Sequence, residues 1–205
     1  MNIALIDASP KARNSASGLL LAELETCLAG EFTRIKVPPV PDEAVLARFD
    51  GQDALVFAFP LYVDGLPSHL VRCLAALETR PRERPAVVYG VANCGFFEGR
   101  QNRLALQILR HWSGAAGLAW GGGLGVGGGG MLSALAGVPA GHGPRKTVSQ
   151  GLRALASDVM AARQTEDRFV SPNFPRWLYK AMAQMGWRSQ LAANGGKRRD
   201  LSRQL

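Results

Sequence analysis

The stretch that decides the fold is Ala54-Leu55-Val56-Phe57-Ala58-Phe59, followed directly by Pro60-Leu61-Tyr62-Val63-Asp64-Gly65-Leu66-Pro67. The first six residues carry no charge, which predicts a strand buried on both faces, as in the middle of a parallel sheet. The next eight form a stiff loop that begins and ends in proline and carries an aromatic side chain. Ligands of open α/β sheets bind at the carboxyl ends of the strands. We therefore expect this loop to line a ligand site in which Tyr62 can stack on a flat ligand.

Strand-like and helix-like segments alternate on both sides of this stretch. Strands are predicted at residues 2–8, 32–37, 53–59, 85–92 and 117–126, and helices at residues 15–29, 42–49, 67–79, 100–113 and 143–163. The second strand alternates apolar and basic side chains, as is typical of a half-exposed edge. Five strands alternating with helices predict an α/β fold, in which helices cover both faces of a parallel sheet.

Length and composition indicate one globular domain with an appendage. The 205 residues favour a domain at residues 1–165 and an extension at residues 166–205. Apolar residues make up 47% and charged residues 20% of the chain, which excludes a disordered protein. The first residues are predicted to form a strand and not a signal peptide. The three cysteines, Cys27, Cys73 and Cys94, form no CxxC pair, so we expect no disulfide framework or zinc site, and a cytoplasmic location is the default.

The extension is basic. Residues 166–205 hold eight Lys or Arg and three acids, which accounts for +5 of the net charge of +8. A helix at about 175–190 is predicted, followed by a flexible tail. For this helix, packing on its own domain or on a second copy is favoured over a lid on the site or a membrane-surface helix. Nucleic-acid binding is not expected, because Lys197-Arg198-Arg199 is short and no recognition motif accompanies it.

Two further loops follow predicted strands. Ser9-Pro10-Lys11-Ala12-Arg13-Asn14-Ser15-Ala16-Ser17 leads into a helix. Its hydroxyls, its cations and the helix start suit a phosphate monoester. The alternative is an ordinary helix cap, for which Asn14 or Ser15 would serve. The chain contains no GxxxxGK[ST] motif.

The other loop, Asn93-Cys94-Gly95-Phe96-Phe97-Glu98-Gly99, follows the fourth strand. Gly95 permits close backbone approach to a ligand. Cys94 is not expected to be a nucleophile, since no histidine accompanies it in a recognisable signature. Further along, Gly123 to Gly128 loosely echoes a dinucleotide fingerprint, but it follows the last strand and lacks the acid. This segment is either a mobile flap or a loop whose glycines allow close packing.

Together the three loops resemble the flavodoxin-like superfamily, in particular its NAD(P)H-dependent FMN reductase branch. The matching pieces, within residues 1 to about 130, are Ser9-Pro10-Lys11 with Ser15 and Ser17, Phe59-Pro60-Leu61-Tyr62 with Pro67, and Asn93-Cys94-Gly95-Phe96 with Glu98. Asp7 stands where such proteins usually carry glycine. The resemblance implies the strand order 2-1-3-4-5, with the ligand crevice between the first and third strands.

The resemblance also implies a cofactor, FMN, and a reaction. The FMN phosphate would be held by Ser9, Lys11, Asn14, Ser15 and Ser17. The flavin ring would lie between two loops that contribute Pro60, Leu61, Tyr62, Val63, Asp64, Asn93, Cys94, Gly95, Phe96 and Glu98. NAD(P)H would pass hydride to FMN, and the electrons would go on to a quinone, a flavin or a similar acceptor. No side chain is implied to be catalytic, because the chemistry belongs to the cofactor.

Two alternatives stay open beside this NAD(P)H oxidoreductase. One is a flavodoxin-type electron carrier, which the net charge of +8 fits poorly because flavodoxin-like carriers tend to be acidic. The other is a binding protein of the same fold that has lost the flavin. For the oxidoreductase we expect a small-molecule electron acceptor, a cytoplasmic homodimer and no metal ion.

Overall fold

In the computed structural model, the described residues are 1–81, 85–135, 137–197 and Asp200. The strands are β1 (Ile3–Asp7), β2 (Phe32–Lys36), β3 (Ala54–Pro60), β4 (Val87–Asn93), β5 (Ala119–Val126) and β6 (Arg168–Val170). The helices are α1 (Ala16–Glu25), α2 (Glu43–Leu46), α3 (Ser68–Glu78), α4 (Arg103–Ala115), α5 (Gly129–Ala134), α6 (Lys146–Met160) and α7 (Arg176–Ala193). Short 3-10 helices lie at Ala47–Phe49, Gly99–Asn102 and Gly143–Arg145. Part of the predicted flexible tail, Arg198, Arg199 and residues 201–205, lies outside the described residues.

The strands form one parallel sheet in the order β2-β1-β3-β4-β5-β6. The first six residues of β3 are buried, and β3 lies between β1 and β4. The charge-free run is therefore a central strand, as the sequence predicts. The edge position of β2 and the order of the first five strands also agree with the sequence and with the resemblance.

Helices cover both faces of this sheet. On one face, Leu70, Leu74 and Leu77 of α3 pack in a cluster with α4, where the Trp112 indole N–H donates to the Leu74 carbonyl at 2.8 Å. On the other face, α1 buries its leucine stripe against β1, β3 and β4, and α6 buries its own against β5. The loops that follow the strands lie at the ends of the sheet, beyond these helices.

The sheet has six strands where the sequence predicts five. In β6, Arg168 is paired with Leu124 and Val170 with Val126 of β5. Arg168 also donates to the carboxylate of Asp158 at 2.5 Å. A three-residue strand that contains an arginine has too few positions to show a period, which explains why it was missed. The first compact unit therefore runs from Met1 to Pro172, past the boundary expected after residue 165.

The described residues from Asn173 onward form a second unit. Its helix α7 begins and ends close to the predicted limits and buries none of its residues. Trp177, Met182, Met185 and Trp187 are exposed. Among the described helices, none is both long and apolar enough to cross a bilayer. The role of this unit stays a prediction.

Candidate functional site

One cavity of about 300 Å³ opens at the carboxyl edge of the sheet, where β1, β3, β4 and β5 end. This volume is at the lower end of the range for small-molecule pockets, about 300–1,000 Å³. The cavity is lined by Ser9, Lys11, Ser15, Ala16, Ser17, Pro60, Leu61, Tyr62, Asn93, Cys94, Gly95, Gly129 and Gly130. The three loops singled out in the sequence thus meet at one place.

Most of the predicted site residues line this cavity, and some do not. Ten of the fifteen are among the lining residues: Ser9, Lys11, Ser15, Ser17, Pro60, Leu61, Tyr62, Asn93, Cys94 and Gly95. The other five, Asn14, Val63, Asp64, Phe96 and Glu98, are not. Sequence reasoning missed Ala16, Gly129 and Gly130, which also line it.

The start of α1 forms one end of the cavity. Ser15 is the N-cap, and its Oγ accepts the Gly18 N–H at 2.9 Å. The preceding Asn14 adopts a left-handed backbone with φ of 52° and so turns the chain into the helix. The first N–H groups of a helix have no intrahelical acceptor. Ala16 and Ser17 lie in this first turn and line the cavity, which makes this end attractive to an anion.

Three buried serine hydroxyls share this end. The Oγ of Ser9 accepts the Lys11 N–H at 3.3 Å, and the Oγ of Ser17 accepts an Asn93 amide N–H at 2.8 Å. Like Ser15, each side chain thereby accepts one hydrogen bond and keeps its own hydrogen to donate. Within the described residues, no group accepts these hydrogens. All three residues line the cavity, so their hydroxyl hydrogens can be donated to water or to a ligand there, and three donors close together suit a ligand with several acceptor oxygens.

Asn93 connects this end to the sheet. Its amide nitrogen also donates to the Phe59 carbonyl at 3.0 Å. A carbonyl only accepts hydrogen bonds, so this contact fixes which side-chain atom is nitrogen and which is oxygen. The residue is 4% exposed. Asn93 therefore links the ends of β3 and β4 to Ser17 on α1.

The loop after β3 is a tight turn. The Tyr62 N–H donates to Gly65 O at 3.1 Å, and the Gly65 N–H returns a bond to Tyr62 O at 2.9 Å. Between them, Val63 and Asp64 have φ of 46° and 58°. A β-branched residue held in this region costs roughly 1–3 kcal/mol. Val63 is fully exposed at the tip of this turn, which is why it does not line the cavity.

The backbone donors of this loop are partly occupied. The Leu61 N–H donates to Asn93 O at 2.7 Å, and the Tyr62 N–H is used in the turn. Hydrogen bonds from the loop backbone to a ligand edge can therefore not come from these two N–H groups.

Cys94 is buried in the wall after β4. Its N–H donates to Val126 O at 3.0 Å, and its thiol lies 3.7 Å from the carbonyl oxygens of Phe96 and Glu98. Burial raises the pKa of the Cys94 thiol, and contacts with Phe96 and Asn102 offset this only in part. The thiol is thus held in its protonated form, which is a poor nucleophile.

The glycine segment after β5 packs tightly against this wall. The Gly128 N–H donates to Phe96 O at 2.6 Å and the Gly129 N–H to Cys94 O at 2.7 Å. A β-carbon on Gly127 would lie 2.0 Å from Phe97 O. Of the two sequence interpretations, these contacts favour close packing over a mobile flap.

Gly95 and Gly130 differ from Gly127 in that no protein atom packs closely against them. Both line the cavity, neither has a left-handed backbone, and a β-carbon on either would meet no protein atom within 4 Å. The packing of the protein does not require glycine at these positions. Their small size keeps the cavity open at these two positions.

Comparisons with protein-family models and with curated proteins find no match. Solved structures do match. The chain is similar to a flavodoxin, WrbA-like protein from Agrobacterium tumefaciens at 17% identity and a TM-score of 0.52, over 80% of this chain and 94% of that one. It is similar to an NADPH-quinone reductase from P. pentosaceus at 15% identity and a TM-score of 0.52, over 66% of this chain and 95% of that one. It is also similar to a flavone reductase at 13% identity and a TM-score of 0.58, over 81% of this chain and 66% of that one. These similarities concern the fold, and the chain has the flavodoxin-like fold.

Proposed function

We propose that this chain is an FMN-dependent NAD(P)H oxidoreductase that passes electrons to a quinone, a flavin or a similar acceptor. The observation that carries the proposal is one cavity whose lining combines serine hydroxyls and a helix start with Tyr62 and small residues. A phosphate-tailed planar ligand has the same two parts. The shared fold with an NADPH-quinone reductase and a flavone reductase supports the reaction class.

The serine end is proposed to hold the phosphate. The hydroxyls of Ser9, Ser15 and Ser17 can each donate one hydrogen bond to a phosphate oxygen, because each already accepts a bond within the protein. Lys11 lines the same cavity and brings a full positive charge. The first turn of α1 adds backbone donors and the positive end of the helix dipole.

The other end is proposed to hold the flavin ring. Pro60, Leu61 and Tyr62 form one wall, and Asn93, Cys94 and Gly95 form another. Bound FMN would supply the group that takes hydride from the nicotinamide and gives electrons to the acceptor. The tasks of the protein are then to bind and orient, for which no acid or base side chain is required. The protonated thiol of Cys94 serves here as an apolar wall.

Exposed apolar side chains beside the cavity suit an apolar electron acceptor. Val63 and Phe96 directly follow the lining residues Tyr62 and Gly95, and both are exposed apolar side chains. Exposed apolar groups beside a pocket favour contact with planar, poorly charged molecules. This supports a quinone-like or flavin-like acceptor.

Turnover of the FMN-loaded protein tests this function. We expect NADH or NADPH to be oxidised in the presence of a quinone at about 1 s⁻¹ or faster, within the usual range of enzymes. The measurement is the loss of nicotinamide absorbance, with FMN alone and protein alone as controls. A protein that binds FMN but does not oxidise either nucleotide is an electron carrier. A protein that stays colourless with FMN contradicts the flavin site itself.

A further inference from the structure

Lys36, at the end of the edge strand β2, reaches the loop that forms the serine end of the cavity. Its Nζ donates to Asp7 Oδ2 at 2.9 Å, to Ser9 O at 2.6 Å and to Lys11 O at 3.1 Å. An ammonium group has three hydrogens to donate. All three therefore hold the segment from Asp7 to Lys11.

These contacts fix which groups of the loop face the cavity. Ser9 and Lys11 both line the cavity, and both have their carbonyl oxygens bound to Nζ of Lys36. A carbonyl oxygen repels a phosphate, whereas a hydroxyl hydrogen or an ammonium group attracts it. While Lys36 holds the two carbonyls, the same residues can offer the Ser9 hydroxyl and the Lys11 ammonium to a ligand.

Lys36 also compensates for Asp7, the residue that departs from the glycine of the resembled family. The Oδ1 of Asp7 accepts the Ser9 N–H at 2.9 Å. Its Oδ2 would lie 3.7 Å from a β-carbon on Gly18, so the carboxylate is close to the first turn of α1. A carboxylate there repels a phosphate, and the paired ammonium group offsets that charge.

We propose that Lys36 is a positioning residue of the phosphate end: it holds the Ser9–Lys11 segment in shape and neutralises Asp7, although it does not line the cavity itself. The inference rests on the proposed FMN site. Residues that fix ligand-binding groups through hydrogen bonds of their own are as much a part of a site as the groups themselves.

A matched control lies two residues away on the same strand. Arg34 is also basic, partly exposed and paired with a carboxylate, that of Glu25. The loop from Asp7 to Lys11 is not among its hydrogen-bond partners in the described part of the chain. Replacing Arg34 removes one positive charge and one ion pair, as replacing Lys36 does, but it keeps the hydrogen bonds between Lys36 and the loop.

The test compares two flavins. FMN and riboflavin, which lacks the phosphate, are titrated against the wild type, Lys36→Met, Lys36→Arg and Arg34→Met by quenching of flavin fluorescence. We expect Lys36→Met to weaken FMN binding about 10-fold or more and riboflavin binding less than about 3-fold. Arg34→Met should leave both affinities within about 2-fold. Lys36→Arg should lie closer to the wild type than Lys36→Met, because arginine can also donate to carbonyl oxygens.

The outcomes separate this inference from the proposed function. Equal losses for FMN and riboflavin in Lys36→Met, or a loss no larger than in Arg34→Met, overturn the inference and leave the FMN site standing. A wild-type protein that binds neither flavin overturns both. Thermal unfolding of each variant, measured without flavin, shows whether a loss arises from a damaged fold.

The double variant Asp7→Asn with Lys36→Met distinguishes charge from positioning. Removing both charges restores the local net charge of the wild type, but the carbonyl oxygens of Ser9 and Lys11 still lack the hydrogen bonds from Lys36. We therefore expect only partial recovery of FMN affinity relative to Lys36→Met alone. Full recovery would contradict the loop-holding role.

Discussion

Replacement of Gly95 by valine is expected to weaken FMN binding by about 10- to 100-fold and to leave the fold intact. Gly95 lines the cavity, and a β-carbon there meets no protein atom within 4 Å. Its backbone is not left-handed, so a residue with a side chain can adopt the same backbone conformation. The new methyl groups would instead overlap a ligand, and overfilling of a packed site costs about 1–3 kcal/mol.

The measurement is a flavin fluorescence titration with thermal unfolding as a companion. Gly137→Val is the matched control, because Gly137 is exposed, lies outside the cavity and also has no atom within 4 Å of a β-carbon. It should bind FMN like the wild type. Unchanged FMN affinity in Gly95→Val would place the ligand elsewhere, and a lower melting temperature would show that Gly95 is needed for packing after all.

Replacement of Gly127 by alanine should have the opposite effect, a large loss of stability. A β-carbon on Gly127 would lie 2.0 Å from the carbonyl oxygen of Phe97 and 2.8 Å from the amide nitrogen of Gly99. Both are backbone atoms, so the wall after β4 or the end of β5 has to move. We expect a loss of about 3 kcal/mol or more, equivalent to a fall in melting temperature of roughly 6–12 °C.

Gly130→Ala is the control for this variant. Gly130 lies three residues further along the same segment, and nothing in the protein approaches a β-carbon there within 4 Å. Its melting temperature without flavin should stay within about 2 °C of the wild type. Equal melting temperatures for Gly127→Ala and Gly130→Ala would show that the glycine segment yields easily, as the mobile-flap interpretation requires.

Much of the fold could be predicted because its signals are local. The charge-free run before Pro60 identifies a central strand, and the leucine spacing of α3 and α6 identifies their buried faces. The loops after β1, β3 and β4 could be placed together because neighbouring parallel strands end at the same edge. That geometry brings Ser15, Tyr62 and Gly95 to one cavity.

The remaining features depend on partners distant in sequence. Lys36 appears in the sequence as one basic residue of an edge strand, and only the fold brings it to the loop after β1. Glu23 lies off the leucine stripe of α1, yet it is buried and paired with Arg145. Likewise, the sequence does not distinguish Gly127, which must be glycine for packing, from Gly130, which need not be. The difference is that backbone atoms lie close to Gly127 and not to Gly130.

A crystal structure of the protein grown with FMN would show directly whether the cavity is the flavin site. We expect phosphate oxygens within about 3 Å of the hydroxyls of Ser9, Ser15 and Ser17, with the flavin ring beside Tyr62 and Gly95. FMN bound elsewhere, FMN bound with its ring at the serines, or an empty cavity at saturating FMN would rule this site out.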